Sequence, residues 1–423
     1  MSNPTPQYSL FILTRNEGDN LKVLLPVVHE VLQGLQVSYE IVIVDGASKD
    51  DTVAVAEAHG VKVVQQQGRG YGAAFREGLA LCRGEWIMTI DADHSHPPQF
   101  LRAMIANCEG ADMLIASRYV PGGAAMMDMW RAALSWILNT VFGVTLGIPV
   151  KDLSSGFRMY RRAALQGLQL EGRDFDVLIE TLVRLVSAGY RVREIPFIYE
   201  PRVFGTSNAR VFKFGLSYIR MLIKMWRLRN STDSADYDER AYNSLIPPQR
   251  WWHRRRVAIV LSLVDKNLVT LDIGCGSSRI TRLISRAIGM DIAPGPLRFL
   301  KARGVATMEG SLQKIPLADK SVDQVILNEV IQQIPRESLS LAEVRRVLRP
   351  GGVLVISTPN PESVLWQRLE KIHRWLLPEA PSTKYQAQYS RSEVISWLGK
   401  EGFAVEQETS IFDADLFFKA KMQ

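Results

Sequence analysis

Over the first two hundred residues, short apolar runs alternate with longer stretches whose apolar positions recur at helical spacing. The runs YSLFIL, YEIVIVD, VKVVQQ, GEWIMTID and ADMLIASRY read as buried strands. The stretch EGDNLKVLLPVVHEVLQGL between the first two reads as a helix. Strands separated by helices imply a mostly parallel sheet with helices on its faces. After Lys224 the pattern breaks, and RNSTDSADYDERAYNS is polar and charged, as a linker would be. The alternation then restarts. RRRVAIVLSLV reads as a helix, LVTLDIGCG as a strand and turn, and RAIGMDI, VDQVILNEV, GGVLVIST and FAVEQETS as further strands. The pattern therefore predicts two α/β domains, 1–230 and 250–423, joined by a linker over 231–249. No internal repeat or low-complexity tract is present.

Composition agrees with this organisation. At about 100–200 residues per domain, a chain of 423 residues has room for two or three. Hydrophobic residues at 47% and charged residues at 22% are the balance of a folded soluble protein. Cys82, Cys108 and Cys275 are too few and too scattered for a disulfide framework, which points to a reducing cytoplasm. The net charge of +7, from 51 basic and 44 acidic residues, favours anionic partners such as nucleotide sugars, lipid phosphates or a membrane surface. Nucleic acid is not among the expected partners. The opening MSNPTPQYSLFIL lacks a basic region followed by an apolar run, so no signal peptide is expected.

Two stretches bear on membranes. Residues 132–150 carry no charge but are interrupted by Asn139, Thr140, Gly143, Thr145, Gly147 and Pro149, which suits a buried or interfacial helix better than a span. Over 210–229, Lys213, Arg220, Lys224 and Arg227 share one side, and Phe214, Tyr218, Met221, Met225 and Leu228 the other. A basic amphipathic helix of this kind fits a membrane surface, or its own domain with a solvated basic stripe.

The first chemistry lies at Asp91-Ala92-Asp93, where the strand EWIMTI ends. Ligands of open α/β sheets bind beyond the carboxyl ends of strands. Two carboxylates there, one residue apart, can share Mg²⁺ or Mn²⁺ with a diphosphate. His94 and His96 beside them read as supporting or surface groups rather than ligands.

The segments LTRNEGDNL, VIVDGASKDDT, DADHSHPP, ASRYVPGG, KDLSSGFRMYRR and PRVFGTSNA, in that order, resemble the GT-A family 2 glycosyltransferases, above all the polyprenyl-phosphate (dolichol-phosphate) mannose synthases. The resemblance runs from about Tyr8 to Arg229. It implies that Glu17 and Asp45 hold the nucleotide base and ribose, and that Asp91 and Asp93 carry the metal, with Ser95 a third candidate. It further implies that Asp93 is catalytic, and that Arg118, Arg131, Ser135 and Arg202 handle the lipid phosphate and the donor diphosphate. Arginine forks match phosphate oxygens. Leu13, Arg15, Gly46 and the pair Ser207-Asn208 depart from the family's usual letters.

In the second half, Asp272 ends a strand and is followed by Gly274 and Gly276, and Asp291 ends the next strand. Glycines at a strand-to-helix turn let backbone approach a ligand closely. With GSLQKIPLADKSVDQVILNEV and EVRRVLRPGGVLVIST downstream, the region from about Asp236 to Gln423 resembles the class I S-adenosylmethionine methyltransferases, which have a Rossmann-like fold. By that resemblance Asp272, Gly274 and Gly276 line the methionine part of S-adenosylmethionine, Asp291 takes the ribose, and Ser311 and Leu312 the adenine. Asn328 and Glu329 face the cofactor region. Ser278 stands near the family's third glycine, Cys275 is a small filler, and the cluster AYNSLIPPQRWWHRRR either caps an acceptor site or packs between domains.

The expectation is a cytoplasmic enzyme, peripheral at the membrane, that transfers mannose from GDP-mannose to a polyprenyl phosphate and methylates an acceptor, the glycan or lipid product being the natural choice. Two rival readings share these letters: UDP-glucose or a related donor in the same fold, and an inactive GT-A scaffold that presents an active methyltransferase.

Overall fold

The computed structural model describes residues 5–200, 215–376 and 387–423. These divide into two compact units, Met1–Val186 with Tyr190–Trp226, and Ser187–Gly189 with Arg227–Gln423.

The first unit contains β1 (Tyr8–Thr14), β2 (Tyr39–Asp45), β3 (Lys62–Gln65), β4 (Trp86–Asp91), β5 (Met113–Ser117), β6 (Ala124–Ala125), β7 (Arg158–Arg161), β8 (Val192–Pro196) and β9 (Ile198–Tyr199). Seven of them form one sheet in the order β3-β2-β1-β4-β7-β5-β8, and β6 pairs separately with β9. The sheet is parallel except at β7, which runs antiparallel to both β4 and β5. Strands β1, β2, β4 and β5 are almost wholly buried, as uninterrupted apolar runs require when helices cover both faces. On one face Leu21, Leu24, Leu25, Val28 and Leu32 of the helix Gly18–Gly34 pack on Leu10, Ile12, Ile41 and Ile43. Register places Thr14 beside Asp45 and Leu13 beside Asp91, so the loops after β1, β2 and β4 open at one end of the sheet.

The uncharged stretch forms the helix Met129–Leu146, stopped by Gly147 at φ +59, a left-handed conformation that glycine adopts without strain. Its placement departs from the buried alternative. Asn139, Phe142 and Leu146 are buried, but Met129, Trp130, Leu134, Trp136, Ile137, Val141 and Val144 are exposed. Among the described residues no helix is long and apolar enough to cross a membrane. The basic amphipathic stretch is described from Gly215 to Arg229. Met221 and Met225 are buried, Ile219 and Ile223 exposed, and Lys224 pairs with Glu171 at 2.5 Å. Lys213 and Phe214 lie outside the described residues.

The second unit holds β10 (Thr270–Ile273), β11 (Ala287–Asp291), β12 (Ala306–Glu309), β13 (Val322–Asn328), β14 (Leu348–Pro359), β15 (Phe403–Ile411) and β16 (Asp415–Met422). They form one sheet in the order β12-β11-β10-β13-β14-β16-β15. The first five strands pair parallel, and β16 is antiparallel to both its neighbours. The order reverses at β10, which is where an open sheet leaves a crevice for a ligand. Segment 231–249 contains the helix Tyr237–Tyr242 and the first residues of the helix Pro247–Leu263.

Candidate functional sites

In the first unit the loops at the carboxyl ends of β1, β2 and β4 are tied by side-chain hydrogen bonds. Asp45 is fully buried, and its carboxylate accepts from Thr14 Oγ1 at 3.0 Å, Ser48 N at 2.8 Å, Ser48 Oγ at 2.5 Å and Gln65 Nε2 at 3.3 Å. Glu17 sits on the next loop, where Oε2 accepts from Asn20 Nδ2 at 2.6 Å and its N–H donates to Thr52 Oγ1 at 2.8 Å. His94, at φ +63, places Nε2 at 3.0 Å from the Asn20 carbonyl. That contact joins the Glu17 loop to the DADHSH turn.

Asp91 closes β4 with a side chain that is 42% exposed. His96 Nδ1 accepts from the Asp91 N–H at 2.9 Å, and its ring is buried against Phe157, Phe197 and Tyr199. The imidazole therefore braces the turn from within. Asp93 is buried, and Ser95 donates to its Oδ1 through N at 3.1 Å and Oγ at 2.6 Å. Asp91, Asp93 and Ser95 thus form one turn of hard oxygen donors, the set that suits Mg²⁺ or Mn²⁺. Among the described residues no three His, Cys, Asp or Glu side chains gather into a metal cage. An ion held here would complete its shell with the oxygens of a diphosphate or water, as Mg²⁺ commonly does.

Arg118 follows β5 and is nine-tenths buried. Its Nε and Nη2 each donate to Asp152 at 2.7 Å, Nη2 also reaches Ser154 Oγ at 2.8 Å, and the Arg118 N–H meets Asp152 Oδ2 at 3.0 Å. Burial alone would lower the pKa of Arg118 and raise that of Asp152, but the bidentate pair reverses both, so the two are held ionised. Ser135 Oγ lies 3.5 Å from Ser154 Oγ, and buried Asn139 holds the same loop through the N–H groups of Leu153 and Ser154. The 152–156 loop also runs past the metal turn. A Cβ on Gly156 would sit 3.7 Å from Asp91 Oδ1. Asp152 and Ser154 have no separate signal in the sequence beyond their place in KDLSSGFRMYRR, and Asn139 reads there only as a polar interruption of the uncharged stretch. The side chain of Arg131, and the whole of Arg202, lie outside the described residues.

In the second unit Asp272 is buried at the end of β10 and accepts from Thr281 Oγ1 at 2.5 Å. Burial pushes its pKa up to about 7, against the pull of Thr281 and with the help of nearby Asp238 and Asp291. Gly274 and Gly276 have φ of +64 and +52, so the turn after β10 requires glycine. A Cβ on Gly276 would lie 2.7 Å from Asp238 Oδ2, and one on Gly274 2.6 Å from Val330 Cγ2. Asp291 accepts from Gly276 N and Ala293 N, each at 2.9 Å. Ser278 caps the next helix through Ile280 N at 3.1 Å, and Cys275 is buried as a filler. Ser311 and buried Leu312 follow β12. A glycine turn flanked by two strand-end carboxylates fits an amino-acid-bearing nucleoside such as S-adenosylmethionine, whose methyl group is electrophilic. Sequence reasoning missed Asp238, which accepts from Ser277 N at 3.0 Å and so braces this turn from the helix Tyr237–Tyr242.

Comparison with known proteins covers both units. The family model described as glycosyl transferase family 2 matches residues 9–168, and that of a methyltransferase domain matches residues 271–356. A polyprenol monophosphomannose synthase of Mycolicibacterium smegmatis is 33% identical over 250 residues, 55% of this chain and 91% of that protein. A dolichol-phosphate mannosyltransferase of Pyrococcus furiosus is 31% identical over 236 residues, 53% of this chain and 65% of that protein. A solved SAM-dependent methyltransferase of Thermotoga maritima is 20% identical with a TM-score of 0.35, over 44% of this chain and 98% of that one. The first unit has a GT-A-like fold and the second a Rossmann-like methyltransferase fold, and both are enzyme domains. Being 33% identical over 250 residues to a polyprenol monophosphomannose synthase of which it covers 91%, the chain belongs to glycosyl transferase family 2 and carries a methyltransferase domain behind it.

Proposed function

We propose that residues 1–230 transfer mannose from GDP-mannose to a polyprenyl phosphate, that residues 250–423 methylate the glycan or lipid product, and that 231–249 joins the two. The observation that carries the first part is the turn Asp91–Ser95 at the carboxyl end of β4, in a chain 33% identical to a polyprenol monophosphomannose synthase. Asp91 and Asp93 would hold Mg²⁺ or Mn²⁺, which offsets the charge of the departing diphosphate. Glu17 and Asp45 stand on the neighbouring loops, where a nucleoside would lie. Arg118, fixed by Asp152, keeps one guanidinium nitrogen, Nη1, without a hydrogen bond among the described residues. That nitrogen is offered to a phosphate oxygen, and by the family resemblance Ser135, Arg131 and Arg202 would share the phosphate-handling role. A lipid phosphate is already ionised and attacks the anomeric carbon without a protein base. Positioning and charge compensation then supply most of the rate.

A polyprenyl substrate brings the enzyme to a lipid surface. The exposed face of the helix Met129–Leu146, with Trp130 and Trp136 more than half exposed, supports peripheral attachment there. In the second unit Asp272, Gly274 and Gly276 would hold the methionine part of S-adenosylmethionine, Asp291 the ribose, and Ser311 and Leu312 the adenine. The test is to incubate the full chain with polyprenyl phosphate, Mn²⁺ and either GDP-[¹⁴C]mannose or UDP-[¹⁴C]glucose. Label from GDP-mannose alone in the lipid phase supports the proposal. Label from UDP-glucose alone reassigns the donor, and label from neither overturns the transfer.

A further inference from the structure

The second unit contains a buried polar cluster at the carboxyl end of β13. Glu329 directly follows β13 at φ +60, a conformation that is strained for a non-glycine residue and that gathers at functional sites. It is held there: its N–H donates to Ser357 Oγ at 3.1 Å, and Ser357 Oγ donates to Asn328 Oδ1 at 2.9 Å. Glu329 Oε2 accepts from Gln332 Nε2 at 3.2 Å and lies 3.7 Å from Arg256 Nη2. Arg256 reaches Asp415 Oδ2 at 3.0 Å through both Nε and Nη2. Glu329 and Asp415 hydrogen-bond to each other through a carboxyl proton, and beside them two buried atoms, Gln332 Oε1 and Thr358 Oγ1, have no hydrogen-bond partner among the described residues. Native interiors rarely leave such atoms unpaired. Gln332, Thr358 and Asp415 are each at least 98% buried. Gln332 and Thr358 line a small cavity with Pro359, Pro361, Trp366 and Gln388.

We propose that this cluster is the methyl-acceptor site, that it takes a neutral hydroxyl, and that Glu329 accepts the hydroxyl proton. Of the two unpaired atoms one is an amide carbonyl oxygen and the other a hydroxyl that can also accept, so their complement is an O–H donor. Burial raises the pKa of both Glu329 and Asp415, which favours one shared proton between them. With the guanidinium of Arg256 the cluster is then neutral overall. A carboxylate acceptor would bring an uncompensated charge into this buried, neutral cluster, and an ammonium has no lone pair to react. In the transfer the acceptor oxygen forms the new C–O bond. The carbon–sulfur bond of the bound donor breaks with its electron pair left on sulfur, and the hydroxyl proton passes to Glu329. This goes beyond the mannosyl reaction and needs only that the second unit is a methyltransferase, so it stands or falls separately from sugar transfer.

The experiment incubates the full chain with methyl-tritiated S-adenosylmethionine and three probes of equal chain length: octyl α-mannoside, octylamine and octanoate. Label is expected only in octyl mannoside, as a base-stable methyl ether. Glu329→Gln should cut that rate by at least about 100-fold, within the range for loss of a proton-accepting group. Calorimetry should show its affinity for S-adenosylhomocysteine unchanged within about twofold, and octyl mannoside still binding. Thr358→Ala, which leaves the carboxyl pair intact, should weaken octyl mannoside binding by about fivefold, as loss of one hydrogen bond does. Label in octylamine or octanoate, label in none of the three, a Glu329→Gln rate above one tenth of the unmodified chain, or unchanged octyl mannoside affinity in Thr358→Ala would each overturn the proposal.

Discussion

Asp152→Ala probes the frame on which the phosphate-handling side of the first unit rests. The carboxylate is fully buried and accepts from Arg118 N, Nε and Nη2 and from Ser155 N at 3.0 Å. Removing it leaves the Arg118 guanidinium buried without its counter-charge. Breaking a buried pair from one side costs about 3–5 kcal/mol. For a unit of about 200 residues each kcal/mol moves the melting temperature by about 2–4 °C, so the transition of this unit should fall by about 6–20 °C. Asp152→Asn keeps the volume and one accepting oxygen and should lose about half as much. The pH dependence has a definite sign. The folded pKa of Asp152 lies below its unfolded value, so the pair stabilises the fold above the ordinary carboxylate range and loses that contribution as pH falls below it. Scanning calorimetry between neutral and acid pH measures both effects. The double change Arg118→Ala with Asp152→Ala should cost less than the sum of the single changes. A loss below about 1 kcal/mol for Asp152→Ala, or strictly additive changes, would refute the claim that Arg118 is fixed by this pair.

Other consequences are as direct. Asp291→Ala should weaken S-adenosylmethionine binding by more than about tenfold, because charge-assisted hydrogen bonds of roughly 1.5–3 kcal/mol are lost; calorimetry showing an unchanged dissociation constant removes that role. Asp272 has a folded pKa raised to about 7, so its contribution to stability is complete below its ordinary carboxylate pKa and is lost as pH rises through 7. Asp272→Asn without cofactor should therefore hold its melting temperature better than the unmodified chain between pH 6 and about 8, and equal slopes would contradict the shift. Arg131→Ala should raise the apparent Michaelis constant for polyprenyl phosphate by about tenfold without weakening GDP binding, and Arg131→Lys should rescue only in part, since a point charge lacks the bidentate geometry. Unchanged kinetics would remove Arg131 from the site.

Much of this architecture was legible in the letters. Strands β1, β2, β4, β5, β10, β11, β13 and β14 announce themselves as mainly apolar runs, because strands covered on both faces need no polar alternation. The elements that were not legible fail that rule. β7 reads RMYR, and its Arg158 is fully buried only because the carbonyls of Leu153, Ser155 and Leu178 receive the guanidinium. β12 is a four-residue edge strand, too short to show a period. Segment 231–249 looked solvated from its charges. Yet Asp238 and Glu239 meet Ser277, Arg279 and Arg282, partners about forty positions away that no local pattern reveals. The same distance hid the Arg118–Asp152 pair. The exposed face of the helix Met129–Leu146 was ambiguous for another reason: an apolar stripe reads alike whether protein or lipid covers it.

The central claim is that Asp91 and Asp93 support metal-assisted sugar transfer to a lipid phosphate. Its most direct measurement is the initial rate of [¹⁴C]mannose transfer from GDP-mannose to polyprenyl phosphate by the unmodified chain and by Asp93→Ala, with Mn²⁺ varied and S-adenosylhomocysteine binding measured alongside. The expected result is metal-dependent transfer by the unmodified chain, and a loss of more than about 100-fold in Asp93→Ala, the scale of removing one electrostatic stabiliser of the transition state, with S-adenosylhomocysteine affinity intact. Near-normal transfer by Asp93→Ala, or transfer by the unmodified chain that chelation of divalent ions leaves unchanged, would contradict it.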